Sequence, residues 1–177
     1  MLIGLMGYAR SGKDTVANIL VEHYGFERIA FADPIRELLA RINPILNNGY
    51  YLNEHVQEFG WEIAKARPEV RRLLQELGVG ARDILGEDVW VNAALRKMSS
   101  KNKHYVVTDV RFQNEALTIK LANGVLWRVE RPNVTAINEH ISEHALKDYK
   151  EDMLIKNDST IEHLAQTVSA CILGVPA

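Results

Sequence analysis

Apolar positions along this chain follow two periodicities. Five short runs are apolar almost throughout, from Leu2 to Met6, Arg28 to Ala32, Tyr105 to Thr108, Val125 to Glu130 and Met153 to Lys156, and each reads as a buried strand. Between them the apolar positions recur every three to four residues, as in Val16, Ile19, Leu20 and Tyr24 ahead of Gly25, a residue suited to end a helix in the left-handed conformation. Strand and helix therefore alternate. That order predicts an α/β fold, a mostly parallel sheet covered on both faces, with ligands at the carboxyl ends of the strands.

About 70 residues separate the second run from the third, far more than a crossover needs. Ile35, Leu38, Leu39 and Ile42 suit one helix in this insert, and Val56, Phe59 and Ile63 a second. Val70, Leu73, Leu74 and Leu77 suit a third, and Val89, Ala93 and Leu95 a fourth, with Asn43 to Gly49 as a polar, hinge-like break. The expectation is one domain over 1–177, with a core of about 1–32 and 99–177 and a helical lobe over about 33–98.

Gly7-Tyr8-Ala9-Arg10-Ser11-Gly12-Lys13 directly follows the first strand and opens the first helix. Glycines at both ends let backbone N–H groups converge on an anion, the helix N-terminus adds partial positive charge, and the lysine reaches the outer phosphates of a nucleoside triphosphate. This is a phosphate loop with one departure. Asp14 stands where Ser or Thr usually offers a hydroxyl to magnesium, and Thr15 follows it. Either Thr15 takes over as metal ligand, or Asp14 acts through a water; Asp14 as a mere complement to the helix end is the third option.

A phosphate loop serves switches and motors as well as kinases. No Asn-Lys-x-Asp guanine signature is present, and Asp83-Ile84-Leu85-Gly86, which matches the short DxxG switch pattern, follows a helix rather than a strand. The helical insert suits a kinase, because a lobe that closes over the acceptor excludes water and so prevents hydrolysis.

Composition narrows the partners. With 21 basic and 23 acidic residues the formal charge is -2, so no broad basic face for a nucleic-acid polymer is expected. The chain has no apolar run of about 18 residues and only one cysteine, Cys171, on the apolar stripe of the last helix, where a buried inert thiol is expected. These features fit a cytoplasmic protein without membrane contact, and a homodimer is left open.

Gly7 through Thr15, Ala32-Asp33-Pro34, Leu74-Gln75-x-x-Gly78 with Arg82, Asp88-Val89-Trp90, and Thr108-Asp109-Val110-Arg111-Phe112-x-Asn114-Glu115 together resemble the deoxynucleoside monophosphate kinases of bacteriophages. The resemblance covers nearly the whole chain. It implies an adenylate-kinase-like fold with a five-stranded parallel sheet in the order 2-3-1-4-5, magnesium as cofactor, and transfer of the ATP γ-phosphate to a deoxynucleoside 5'-monophosphate. A host-cell cytoplasmic location is implied if the chain is phage-encoded. Kinases of dephospho-coenzyme A or phosphomevalonate, and a non-catalytic nucleotide-gated binding protein, are the competing readings.

Placement at the strand ends and the same resemblance together distribute roles. Asp109 would hold magnesium and Arg111 would meet the acceptor phosphate and the transferring group, a surface pair with Glu115 being the alternative for Arg111. Asp33, Arg36, Gln75, Arg82 and Trp90 would bind the acceptor, with an N-cap role open for Asp33 and core burial for Trp90. Arg131, better placed than Arg128, would be the arginine of a short lid over about 132–145. Asn157 and Asp158 would touch the ATP base, or form a helix cap with Ser159. His140, Glu143 and His144 read as a polar loop rather than a zinc site.

Overall fold

The computed structural model describes residues 1–98, 102–135 and 145–174. Five strands, β1 (Leu2–Met6), β2 (Phe26–Ile29), β3 (His104–Val107), β4 (Val125–Glu130) and β5 (Met153–Lys156), form one all-parallel sheet in the order β2-β3-β1-β4-β5. This is the order expected of a P-loop kinase. Ile3 and Leu5 of the central strand point to one face, where they pack with Val16, Ala17 and Leu20 of α1 (Lys13–Tyr24) and with Leu164, Val168 and Cys171 of the C-terminal helix. Gly4, on the alternate face, leaves room for Val110, Leu126 and Ile119, the last from the helix Gln113–Leu121.

Contacts divide the chain into two compact units, 1–30 with 96–177, and 31–95. The second unit holds α2 (Asp33–Ile42), α3 (Leu52–Ala64), α4 (Pro68–Leu85) and α5 (Val89–Leu95) around Leu39, Leu46, Leu52 and Val70. The helices Gln113–Leu121 and Ile161–Gly174 of the first unit are α6 and α7.

The elements depart from the expected pattern in four places. The second strand starts at Phe26 rather than Arg28, because Gly25 (φ 67°) caps α1 in the left-handed conformation and turns straight into the sheet, where Phe26 pairs with His104. The third strand likewise starts one residue early. In α3, Gly60 (φ 77°, ψ 162°) breaks the helical path, so the stripe loses phase: Phe59 and Ile63 are exposed, while Leu52, Val56, Trp61 and Ala64 turn to the core. The segment 43–49 is no open hinge. Its Leu46 is buried, Leu46 N–H donates to Tyr50 O, Gly49 N–H donates to Leu46 O, and Glu69 accepts from Asn47 N–H at 3.0 and 3.1 Å.

At the far edge of the sheet, Asp152 accepts from Leu126 N–H at 2.7 Å and from Lys120 Nζ at 2.7 and 2.9 Å. Burial opposes its charge, yet the Lys120 ammonium and the Leu126 N–H hold its carboxyl below the usual carboxylate range. Its contribution to stability is therefore present above the unfolded value of about 3.9 and lost as pH falls through the lower folded value. Asp152→Asn keeps an acceptor for Leu126 but loses the ion pair. Urea unfolding should show a loss of about 0.5 kcal/mol at pH 7, as befits a half-exposed pair, and the difference from the parent should vanish by about pH 2.

Candidate active site

The loop from Gly7 to Gly12 takes a path that side chains would forbid. Gly7 has φ 134° and Gly12 φ 106°; a Cβ on Gly7 would lie 2.3 Å from Val129 O of β4, and one on Gly12 2.3 Å from Asn157 Nδ2. Arg10 also adopts positive φ, at 66°, with its side chain exposed. The loop closes on itself through Ser11 N–H to Tyr8 O, and Lys13 Nζ reaches back to Gly7 O at 2.8 Å and Tyr8 O at 2.7 Å. Lys13 is only 9% exposed, so its cationic end is held at the loop rather than out in water. The first N–H groups of α1, which starts at Lys13 directly after the loop, have no intrahelical acceptor. Among the described residues, Ser11 Oγ is buried without a hydrogen-bond partner, a polar atom left over in an anion cradle.

This loop forms one wall of a cleft of about 390 Å³. Arg111, Arg131 and Lys147 supply cations to it, Glu130 a carboxylate, and Val110 and Leu146 apolar surface. Each is positioned by its neighbours. Thr108 N–H donates to Ile29 O and Val110 N–H to Leu5 O, which straps Asp109 between the ends of β2 and β1. Glu115, 5% exposed, accepts from Arg111 N–H at 2.7 Å and Phe112 N–H at 3.0 Å, so its carboxylate fixes the turn that carries Arg111. Arg128 also lines the cleft, but its guanidinium is committed: Nε donates to Glu151, and Nη2 to Leu146 O at 3.0 Å and Tyr149 O at 2.6 Å. The same guanidinium holds the Glu151 carboxyl below the ordinary range. Arg128 thus anchors the turn bearing Lys147.

Lys147 carries no signal in the sequence. It lies just past the expected lid in a polar stretch, where no periodicity or motif marks it. Of that lid only 132–135 and residue 145 are described, and His140, Glu143 and His144 fall outside the described residues. Among the described residues no cluster of histidine, cysteine and carboxylate side chains forms a metal cage. Asp14 is exposed in the first turn of α1, Thr15 and Asp109 are partly buried, and this hydroxyl and carboxylate set is the hard-oxygen kind that magnesium takes.

Asn157 turns its side-chain amide onto the phosphate loop, Nδ2 donating to Ser11 O at 2.9 Å, and Asp158 is exposed. Neither caps α7 with Ser159; Thr160 does, its Oγ1 accepting from His163 N–H. Asp33, Arg36, Gln75, Arg82 and Trp90 all belong to the helical unit. Ala32, not Asp33, is the N-cap of α2, and Asp33 lies 3.7 Å from Arg36 across one turn. Gln75 is exposed and Arg82 half-buried. Trp90 takes the core alternative, 6% exposed with its indole N–H donating to Gly78 O at 2.8 Å.

The family model described as deoxynucleotide monophosphate kinase matches residues 1–62 and 46–168. A protein of Acanthamoeba polyphaga mimivirus, provisionally named deoxynucleotide monophosphate kinase, is 31% identical over 193 residues, covering 97% of this chain and 96% of its own. The chain belongs to the deoxynucleotide monophosphate kinase family. The deoxynucleotide monophosphate kinase of Escherichia phage RB69 is 32% identical over 100 residues, 54% of this chain and 41% of that protein. Among solved structures, the fold is similar to shikimate kinase from Aquifex aeolicus (TM-score 0.50, 14% identity, 98% and 97% of the two chains) and to Campylobacter jejuni dephospho-CoA kinase (TM-score 0.50, 16% identity, 97% and 95%). The protein is thus a nucleotide kinase on a P-loop kinase fold, and the cleft beside its phosphate loop is the candidate active site.

Cys171 stands apart from this chemistry. It is buried in the core of α7, and burial pushes its thiol up, away from the reactive thiolate. Among the described residues, no helix is long and apolar enough to cross a membrane. The glycine geometry of the phosphate loop is directly testable. Gly7→Ala would press a methyl into the Val129 carbonyl, a backbone atom that cannot step aside, so nucleotide binding measured by calorimetry should fall by a factor of about ten or more. Wild-type affinity in that variant would rule out the loop geometry described.

Proposed function

We propose that this kinase transfers the γ-phosphate of ATP to a deoxynucleoside 5'-monophosphate. The observation that carries the proposal is the cleft that Arg111 and Arg131 line together with the phosphate loop, two guanidiniums beside the loop that Lys13 closes. Guanidiniums bind phosphate oxygens through paired donors, and two of them beside one loop suit an in-line reaction between two phosphate-bearing substrates. Family membership supports the monophosphate acceptor.

In this reading the triphosphate lies over Gly7 to Thr15, with Ala9, Arg10 and Ser11 contributing loop contacts and the 157–160 turn with Asp158 beside the base. Asp33, Arg36, Gln75 and Arg82 of the helical unit serve the acceptor, the role the family resemblance implies for them. The acceptor oxygen attacks the γ-phosphorus, the bond to the bridging oxygen of ADP breaks, and Lys13, Arg111 and Arg131 offset the charge shared over the transferring oxygens. Thr15, Asp14 and Asp109 would hold magnesium, which when bound supplies further charge neutralisation at the β- and γ-phosphates. No covalent enzyme intermediate is required.

A coupled assay of ADP release across dAMP, dGMP, dCMP, dTMP, their ribose forms, dephospho-coenzyme A and phosphomevalonate tests the acceptor. Turnover with at least one deoxynucleotide above all other acceptors is expected; turnover confined to the other metabolites would overturn the proposal. Lys13→Ala should lower kcat on the order of 10² or more with an unchanged melting temperature. For the metal, Thr15 is the favoured ligand, since a carboxylate against the triphosphate adds like charge. Thr15→Val should therefore shift the magnesium optimum and cut the rate, whereas Asp14→Asn should lose only a helix-end effect of about 0.3 to 1 kcal/mol. A Thr15→Val enzyme with parental rate and magnesium dependence would reverse that assignment.

A further inference from the structure

Asn157 lies 146 positions from Ser11 in sequence, yet it joins two ends of the site. Its backbone N–H donates to Glu130 O at 2.7 Å, which ties it to the end of β4. Its side-chain Nδ2 donates to Ser11 O at 2.9 Å and occupies the space a Cβ of Gly12 would need. A carbonyl accepts only from the nitrogen end of an amide, so the orientation of Asn157 is dictated by its partner.

The Ser11–Gly12 bond is trans and planar, so Ser11 C=O and Gly12 N–H point in opposite directions across one rigid plane. Holding the carbonyl on Asn157 therefore directs the N–H to the other side. Among the described residues that N–H meets no backbone carbonyl, as an anion-binding donor should not. Because Gly12 is a glycine, its own backbone sterics do not prevent the peptide from flipping and turning a carbonyl dipole toward the phosphates.

We propose that Asn157 is a positioning residue of the phosphate loop, whose amide locks the Ser11–Gly12 peptide with its N–H directed into the anion cradle. This rests on the phosphate-loop reading above and differs from a contact with the ATP base. The role is electrostatic: a locked N–H contributes attraction where a flipped carbonyl contributes repulsion, so donor affinity depends on a side chain that never touches the triphosphate.

The test compares ATP with inorganic tripolyphosphate, which has no base, both with magnesium, by calorimetry on the whole chain. Asn157→Ala should weaken both by a similar factor, on the order of tenfold, as loss of one oriented charge–dipole contact implies. The KM for ATP should rise with the KM for the monophosphate unchanged, and the melting temperature should stay within a few degrees. Asn157→Asp keeps the shape but faces Ser11 O with a carboxylate that has no proton to donate, so it should bind tripolyphosphate no better than the alanine variant. It supplies the same comparison if Asn157→Ala melts early. Weakened ATP with unchanged tripolyphosphate would make Asn157 a base contact and overturn the proposal, as would parental affinity for both. A parent protein that binds no tripolyphosphate would instead sink the phosphate-loop reading itself.

Discussion

The parallel pairing of β1 with both β3 and β4 is the constraint on which the rest of the first unit depends. Register Gly4 to Val107 on one side and Met6 to Arg128 on the other brings three strands to one carboxyl edge within a few residues of each other. The segments leaving those strands then have to share a small volume: the phosphate loop after β1, Asp109 and Arg111 after β3, Arg131 after β4. Strand burial on both faces makes this register hard to slip, because a one-residue shift would press Ile3 and Leu5 onto the face where Val110, Leu126 and Ile119 leave room only for Gly4, and would leave Gly4 opposite α1 and α7.

Charge at that edge is arranged by commitment as well as by proximity. Arg111, Arg128, Arg131 and Lys147 all line the cleft, but Arg128 commits its donors to Glu151, Leu146 and Tyr149, and so acts as scaffold for the turn of Lys147. Glu115 is the counterpart on the other side, a buried carboxylate satisfied by two backbone N–H groups. Charge withdrawn from water, fully at Glu115 and in large part at Arg128, is tolerated because each group is paired. Both pairings hold a turn that delivers another cation, Lys147 in one case and Arg111 in the other, to the cleft.

The helical unit obeys different rules. Its helices are visible in the sequence as apolar stripes, yet α3 buries a different set of residues from the one its period suggests, since Gly60 resets the phase midway. Trp90 shows the same ambiguity. An aromatic ring at a motif position looks equally like a stacking platform and like core, and only its hydrogen bond to Gly78 O and its burial separate the two.

Sequence alone determined the alternation of strands and helices, the phosphate loop and its glycines, and the chemistry available at Lys13, Asp109 and Arg111. These are encoded within one strand or one turn, where periodicity and backbone sterics act over a few residues. The family resemblance carried the strand order and the kinase reading, both of which hold. Tertiary structure decided the pairings across long loops. Asn157 reads as a base contact or a cap until its amide is seen on Ser11, Arg128 as a spare arginine until its three partners are in place, and Lys147 as plain polar chain. No local signal can specify such contacts, because they join segments whose nearness exists only once the sheet has closed their loops.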